Sequence, residues 1–219
     1  MALARHGYRL VLAARTFDDL ATTRALSGLA PADALIVLID LAAEDAPDNL
    51  FDTALEFYGR VDLLINNAGW APARRPLVKT TPADQDRMIA TNLRAPIALC
   101  RLAAGHMTAR GSGIIVNVAS SAGRTTPAGE AVYAATKAGL IAFTHACFAE
   151  LRQKGVRVSV LIPGLVDTTL IPANKHLARA RMITPEQVAQ SVLQIVQSPA
   201  GTCPLELTLV PQFDPERQH

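Results

Sequence analysis

Aromatic residues are scarce in this 219-residue chain, 5% of the total with a single Trp, while half of all residues are hydrophobic. Ala, Leu, Val and Ile therefore supply the core, a composition that suits helices packed on a buried parallel sheet better than an antiparallel sandwich. Cysteine is nearly absent. Cys100, Cys147 and Cys203 are odd in number, widely spaced and free of any CxxC pair, which excludes a disulfide framework and predicts a reducing, cytoplasmic setting. The five histidines show no metal-ligand spacing, so no metal is predicted. Net charge is only +2, and the arginines fall in short pairs (Arg74-Arg75, Arg179 with Arg181) rather than a basic run, which argues against nucleic acid as a partner. No apolar run approaches the roughly 20 residues of a membrane span. The longest, Ala34 to Ile39 and Val158 to Ile162, have the length of strands. A chain of this size and hydrophobicity can bury a substantial core, and residues 1–219 are expected to form one globular domain.

What is present alternates. Strand-like runs at Tyr8 to Ala14, Ala34 to Ile39, Val61 to Ile65, Ile114 to Ala119, Val156 to Ile162 and Leu205 to Val210 are separated by helical stretches at Phe17 to Leu29, Asp48 to Tyr58, Pro82 to Ala109, Glu130 to Lys154 and Pro185 to Gln197. Thr81-Pro82 and Thr184-Pro185 are helix starts, a threonine cap before proline at the first helical position, and Gln187 completes a capping box with Thr184. Continuous apolar strands alternating with helices predict a doubly wound, three-layer α/β architecture of Rossmann type, a parallel sheet covered on both faces. In such a sheet, ligands sit beyond the carboxyl ends of the strands. Arg15, Asp40, the run Asn66-Asn67-Ala68-Gly69, Ser120 and Pro163-Gly164 each follow a strand, so five strand ends converge on one ligand-binding edge.

Tyr133 and Lys137 stand one helical turn apart in the fourth helical stretch, with Ser120 thirteen residues before the tyrosine. A free phenol ionises near pH ~10 and is neutral at pH 7. A lysine on the same helix face brings a positive charge that favours the phenolate, so the pair is expected to lower the tyrosine pKa and ready it for proton transfer.

Together these residues resemble a family. Asn66-Asn67-Ala68-Gly69, Asn92, Ser120, Tyr133-Ala-Ala-Thr-Lys137 and Pro163-Gly164-Leu-Val-Asp-Thr168 occur in the order and approximate spacing of the classical short-chain dehydrogenases/reductases. The resemblance implies an oxidoreductase that moves a hydride between nicotinamide and a carbonyl or secondary alcohol. It assigns Tyr133 as general acid/base on the substrate oxygen, Ser120 as the group that orients that oxygen, and Lys137 as a second contact to the nicotinamide ribose. Asn92 becomes the fourth catalytic position, holding a water that links the lysine to solvent. Asn67, Ala68 and Gly69, with Asp40 and Leu41, are implied to hold the adenosine end of the cofactor, and Pro163, Gly164, Val166 and Thr168 the nicotinamide carboxamide. Asn66 and Asp62 are read as structural. At the end of the first visible strand no acid precedes Asp18, while Arg15 offers a planar, permanently charged fork suited to a 2′-phosphate, so NADP(H) is favoured over NAD(H). A small-molecule carbonyl or alcohol is the implied substrate, and a homodimer or homotetramer paired through the third and fourth helical stretches is the implied assembly. Lys175, His176, Arg179 and Arg181 in the Thr169 to Met182 segment raise an anionic substrate, against the plainer reading of exposed loop cations.

The chain departs from the family at its start. Gly7 is the first glycine and Gly28 the second, so the family's first strand and its Thr-Gly-x-x-x-Gly-x-Gly turn, roughly 20–30 residues of strand, turn and helix, have no counterpart. Without them, strand edges at the centre of the sheet are expected to be unpaired and a phosphate-binding helix start is missing. Two readings stay open: Met1 is an internal methionine of a longer reductase, or the shorter chain is a catalytically impaired relative acting as a binding or interaction module. The intact downstream positions favour the first.

Overall fold

In the computed structural model, which describes residues 1–171 and 177–215, the expected alternation is realised by six strands: β1 (Leu10–Ala14), β2 (Ala34–Leu38), β3 (Leu63–Asn66), β4 (Gly113–Val118), β5 (Val156–Pro163) and β6 (Glu206–Leu209). Helices α1 (Phe17–Ser27), α2 (Ala46–Tyr58), α3 (Pro82–Ile89), α4 (Ala95–Arg110), α5 (Ala122–Thr125), α6 (Ala131–Leu151) and α7 (Pro185–Val196) connect them. Every strand pairing is parallel. Side-chain alternation along β4 and β5 divides the core between two faces. Ile115, Val156 and Val158 meet Phe51 of α2, Leu99, Ala103 and Met107 of α4 and Leu151 of α6. Val116 and Leu161 point the other way, against Val192, Ile195 and Val196 of α7.

The caps expected at Thr81 and Thr184 are both formed: Thr81 accepts from the Asp84 amide, and Thr184 and Gln187 close a full capping box. The single helix expected over Pro82 to Ala109 is three pieces, because residues 90–94 form a π-helical turn between α3 and α4. Such turns insert one residue into the helical ladder and are concentrated at functional sites. The expectation missed it because hydrophobic periodicity does not register one extra residue.

The sheet itself is in two parts. β1 and β2 form a two-stranded unit, and β3, β4, β5 and β6 form a four-stranded unit in that order. Among the described residues, one edge of β1 and one edge of β3 thus have no strand partner, and residues of both (Leu10, Val11 and Leu12; Ile65) line a common cavity of about 1500 Å³. At the start of β1, the Tyr58 hydroxyl donates to the Leu10 carbonyl at 3.2 Å.

Two glycines fix close approaches. Gly155 turns the chain from α6 into β5 at φ 76°, where an added Cβ would lie 2.0 Å from the Gly111 carbonyl oxygen. Gly123 lets α5 lie directly on α6: an added Cβ would meet the Ala138 nitrogen and the Lys137 carbonyl carbon, each at 2.8 Å. Gly123→Ala is expected to force these helices apart beside Lys137, at a cost of ~2 kcal/mol for overpacking. For a chain of this size that corresponds to a melting temperature lowered by about 4–8 °C; an unchanged melting temperature in a calorimetric scan would show that the contact relaxes freely.

Candidate active site

The cavity between β1 and β3 continues along the carboxyl ends of β3, β4 and β5, where the sequence placed the chemistry. Asn67, Ala68, Gly69, Ser120, Tyr133, Lys137, Pro163, Gly164, Val166 and Thr168 all line it. Arg15, Asp40 and Leu41 follow β1 and β2 on the same edge but do not line the cavity. Arg15 is exposed and has no ion pair or hydrogen bond among the described residues. Asp40 accepts from the Ala42 amide at 3.0 Å and faces Arg87 at 3.4 Å.

Three elements bring the proton-transfer set together. Ser120 follows β4, where the chain turns into α5, and its Oγ accepts from the Ala122 amide at 3.2 Å. Tyr133 and Lys137 come from the first turns of α6. Lys137 is fully buried, and its ammonium donates to the Val118 carbonyl at 2.9 Å while lying 5.8 Å from the centre of the Tyr133 ring. Tyr133 and Ser120 line the same cavity, and the Ser120 hydroxyl acts to lower the Tyr133 pKa, a part its neighbour Ser121 does not take.

The electrostatics differ from the sequence argument. Tyr133 is held above its ordinary pKa, first by burial, with the Ser120 hydrogen bond opposing and the Glu130 charge adding to the rise. The expected lowering by Lys137 does not occur, because the burial of Tyr133 itself dominates; burial also acts on the lysine, lowering its pKa to about 8. Desolvation acts against the charged form of both groups and outweighs their mutual help.

Asn92 sits in the π-helical turn and is completely buried. Its Oδ1 accepts from the Trp70 amide at 2.7 Å, and its Nδ2 donates to the Trp70 carbonyl at 2.8 Å and toward Thr136 Oγ1 at 3.5 Å. The amide thus pins the loop that follows β3, just past Gly69. Its Oδ1 keeps a second lone pair on the side of Gly69 that Lys137 Nζ also faces. Thr136 was not anticipated; its hydroxyl donates to the Tyr133 carbonyl at 2.7 Å and its only sequence signal is its place between Tyr133 and Lys137.

Asn66 and Asp62 are structural, as expected. Asn66 donates to Asn117 Oδ1 at 2.8 Å and to the Cys100 sulfur, and Asn117 donates to Thr144, a satisfied polar chain through the core. Asp62 binds Arg60 and Arg110, and the Arg60 hydrogen bond is the main reason its carboxyl lies below the ordinary range. Arg179 is no free cation: it pairs with Asp167 and donates to the Ile171 carbonyl, tying down the segment that carries Val166 and Thr168. Arg181 donates to the Asp214 carbonyl at 3.3 Å. Lys175 and His176 lie outside the described residues.

A family model described as short chain dehydrogenase matches residues 1–177. The chain belongs to the short-chain dehydrogenase family. It is 33% identical over 206 residues to the 3-oxoacyl-[acyl-carrier-protein] reductase of Bos taurus, an alignment covering 91% of this chain and 85% of that protein. It is 35% identical over 211 residues to the cis-4-hydroxycyclohexanecarboxylate dehydrogenase of Sinomonas cyclohexanicum, covering 91% and 83%. Among solved structures, a metagenomic short-chain oxidoreductase in complex with NADP superposes with a TM-score of 0.83 at 31% identity, covering 97% of this chain and 90% of that one. The short-chain dehydrogenase fold and its oxidoreductase class are therefore those of this chain, a Rossmann-like parallel sheet with helices on both faces. Among the described residues, no helix is long and apolar enough to cross a membrane.

Proposed function

We propose that this short-chain dehydrogenase reduces a small-molecule carbonyl compound with NADPH, with Tyr133 as the acid. The observation that carries the reading is the convergence of Ser120, Tyr133 and Lys137, from the end of β4 and the start of α6, on one cavity lined elsewhere by the ends of β3 and β5. When bound, a reduced nicotinamide supplies the hydride to the carbonyl carbon. Tyr133 holds a proton at its hydroxyl oxygen and gives it to the substrate oxygen as the carbonyl becomes an alcohol. The phenol is protonated at neutral pH and so can donate, while burial, by raising its pKa, makes it a weaker acid that needs a nearby positive charge as the phenolate forms. Ser120 donates to the same oxygen, a fixed polar contact that strengthens as charge develops there in a water-poor site. Lys137 has donors for the nicotinamide ribose, and its ammonium favours the phenolate left after transfer. Asn92 holds the Trp70 backbone in place and, as the fourth position of the set, would hold the water that links Lys137 to solvent.

The residues that would hold the cofactor are Asn67, Ala68 and Gly69 with Asp40 and Leu41 toward adenosine, and Pro163, Gly164, Val166 and Thr168 toward the nicotinamide. The fit is good at the nicotinamide end, where the cavity is walled by these strand ends. At the other end Arg15, unpaired and exposed past β1, is a cation placed for a 2′-phosphate. The superposable NADP complex, similar at 31% identity, supports the same choice. A second reading is favoured by one observation, the unpaired edges of β1 and β3: a short-chain fold that binds ligands or partners with impaired turnover. The apolar patch of Ile89, Leu93, Val132 and Ala135 on α3, the π-turn and α6 supports a homodimer or homotetramer built on these helices.

Cofactor titration separates these readings. Quenching or transfer of the fluorescence of Trp70, the single tryptophan, on adding NADPH is expected, with NADH binding at least tenfold weaker. Arg15→Ala is expected to erase most of that preference without changing NADH affinity. A folded protein that binds neither dinucleotide would leave only the binding-module reading standing.

A further inference from the structure

The cations at the mouth of the cavity bear on which carbonyl compounds it can take. Apart from Lys137, the basic side chains that line the cavity among the described residues are Arg74 and Arg75. Both are already engaged with acids. Arg74 is paired with Glu130, at the start of α6 and three residues before Tyr133, and Arg75 is paired with Asp84 of α3 at 3.3 Å. Arg179, the nearest described cation of the following segment, is paired with Asp167. The wall around these pairs is apolar: Ala71, Val132, Leu165, Leu170, Ile171 and Leu177 line the cavity beside the catalytic residues.

A substrate carboxylate in this cavity would have to displace Glu130 from Arg74 or sit unpaired against aliphatic side chains. It would also approach the Glu130 charge, the acidic side chain in the lining. Burying an unpaired charge is costly, and a like charge nearby adds to the cost. An uncharged aliphatic or alicyclic group meets no such obstacle, since the same wall rewards removal of apolar surface from water.

From this arrangement we propose that the substrate is an uncharged carbonyl compound with an apolar body, and that the Arg74–Glu130 pair is the element that rejects anionic analogues. The proposal rests on the reductase reading above and adds a substrate class to it. No net attraction between the paired arginines and a bound ligand is required, and exposed ion pairs of this kind contribute little stability of their own, so breaking one should change selectivity more than folding.

The test uses two ketones that share a ring and a carbonyl and differ in charge: methyl 4-oxocyclohexanecarboxylate and the free acid, 4-oxocyclohexanecarboxylate. With NADPH and the full chain at pH 7, kcat/KM for the ester is expected to exceed that for the acid at least tenfold. Glu130→Gln, which releases Arg74 and keeps the shape of the side chain, is expected to raise kcat/KM for the acid at least fivefold relative to the ester. The substitution also removes a charge that acts on Tyr133, but that change is common to both ketones, so their ratio isolates the selectivity. The ligand-induced shift in melting temperature, measured with NADPH present, ranks the same pair without turnover. Preference for the acid in the unmodified chain, or an unchanged ratio in Glu130→Gln, overturns the substrate class while leaving the reductase reading intact. A protein that binds no NADPH and reduces neither ketone overturns the reductase reading, and the substrate class falls with it.

Discussion

Tyr133→Phe is expected to lower kcat for carbonyl reduction by about 10²–10⁴-fold, the range a positioned general acid contributes, while leaving NADPH affinity within a factor of two or three. The substitution removes one oxygen and leaves the ring in its place above Lys137, so binding energy and packing are largely retained. What is lost is the proposed proton donor, a phenol protonated at neutral pH that shares the cavity with Ser120. Because the missing oxygen acts in the transition state, kcat and kcat/KM should fall together, with little change in KM. The measurement has a precondition: the unsubstituted chain must first bind NADPH, since β1 and β3 leave a gap on the phosphate side of the site. Given that binding, turnover by Tyr133→Phe at the unsubstituted rate would remove Tyr133 from the chemistry and with it the assignment of Ser120. Ser120→Ala should lose less, since Tyr133 would keep its proton but not its orientation.

How much of this was legible in the sequence depends on which force sets each feature. The parallel strands were readable because β4 and β5 are buried on both faces, which requires continuous apolar runs such as Ile114 to Val118 and Val156 to Ile162. The caps at Thr81 and Thr184 were readable because a local hydrogen bond sets them. The site residues were readable as positions because strand ends share an edge, and most of them do line one cavity. Their states were not. The rise in the Tyr133 pKa comes from burial, which depends on what α5, β4 and the loop after β3 bring around the ring, and a four-residue spacing carries no information about that. The bond of Asn92 to Trp70 was not legible, since it joins the π-turn to a loop 22 residues away. The pairing of Arg74 with Glu130 joins residues 56 apart, so an isolated reading of either could only suggest an exposed charge.

The burial of Lys137 sets function against stability, and Lys137→Met should expose the conflict. The ammonium has a pKa of about 8 in the folded chain against an ordinary value of 10.5. At pH 7 the unfolded chain therefore holds this proton more tightly than the folded one, and folding must carry a charge into the cleft at a cost of roughly 3 kcal/mol. The bond to the Val118 carbonyl is lost with the ammonium, and a hydrogen bond of this kind offsets about 1–2 kcal/mol of the gain. Lys137→Met is therefore expected to be more stable than the unsubstituted chain at pH 7 by about 1–2 kcal/mol, a rise of about 2–8 °C in melting temperature. The sign of the pH dependence follows from the lowered pKa. The cost is complete below pH 8, declines as the buried lysine loses its proton between pH 8 and 10.5, and is gone above that range, so the advantage of the variant should shrink as pH rises. Activity should move the other way, falling at least a hundredfold as the ribose contact and the charge that favours the phenolate disappear. Melting temperatures of the two proteins measured from pH 6 to 10 decide the matter: an advantage absent at pH 7, or one that widens with pH, would mean that Lys137 is solvated in the folded chain and that its placement costs nothing.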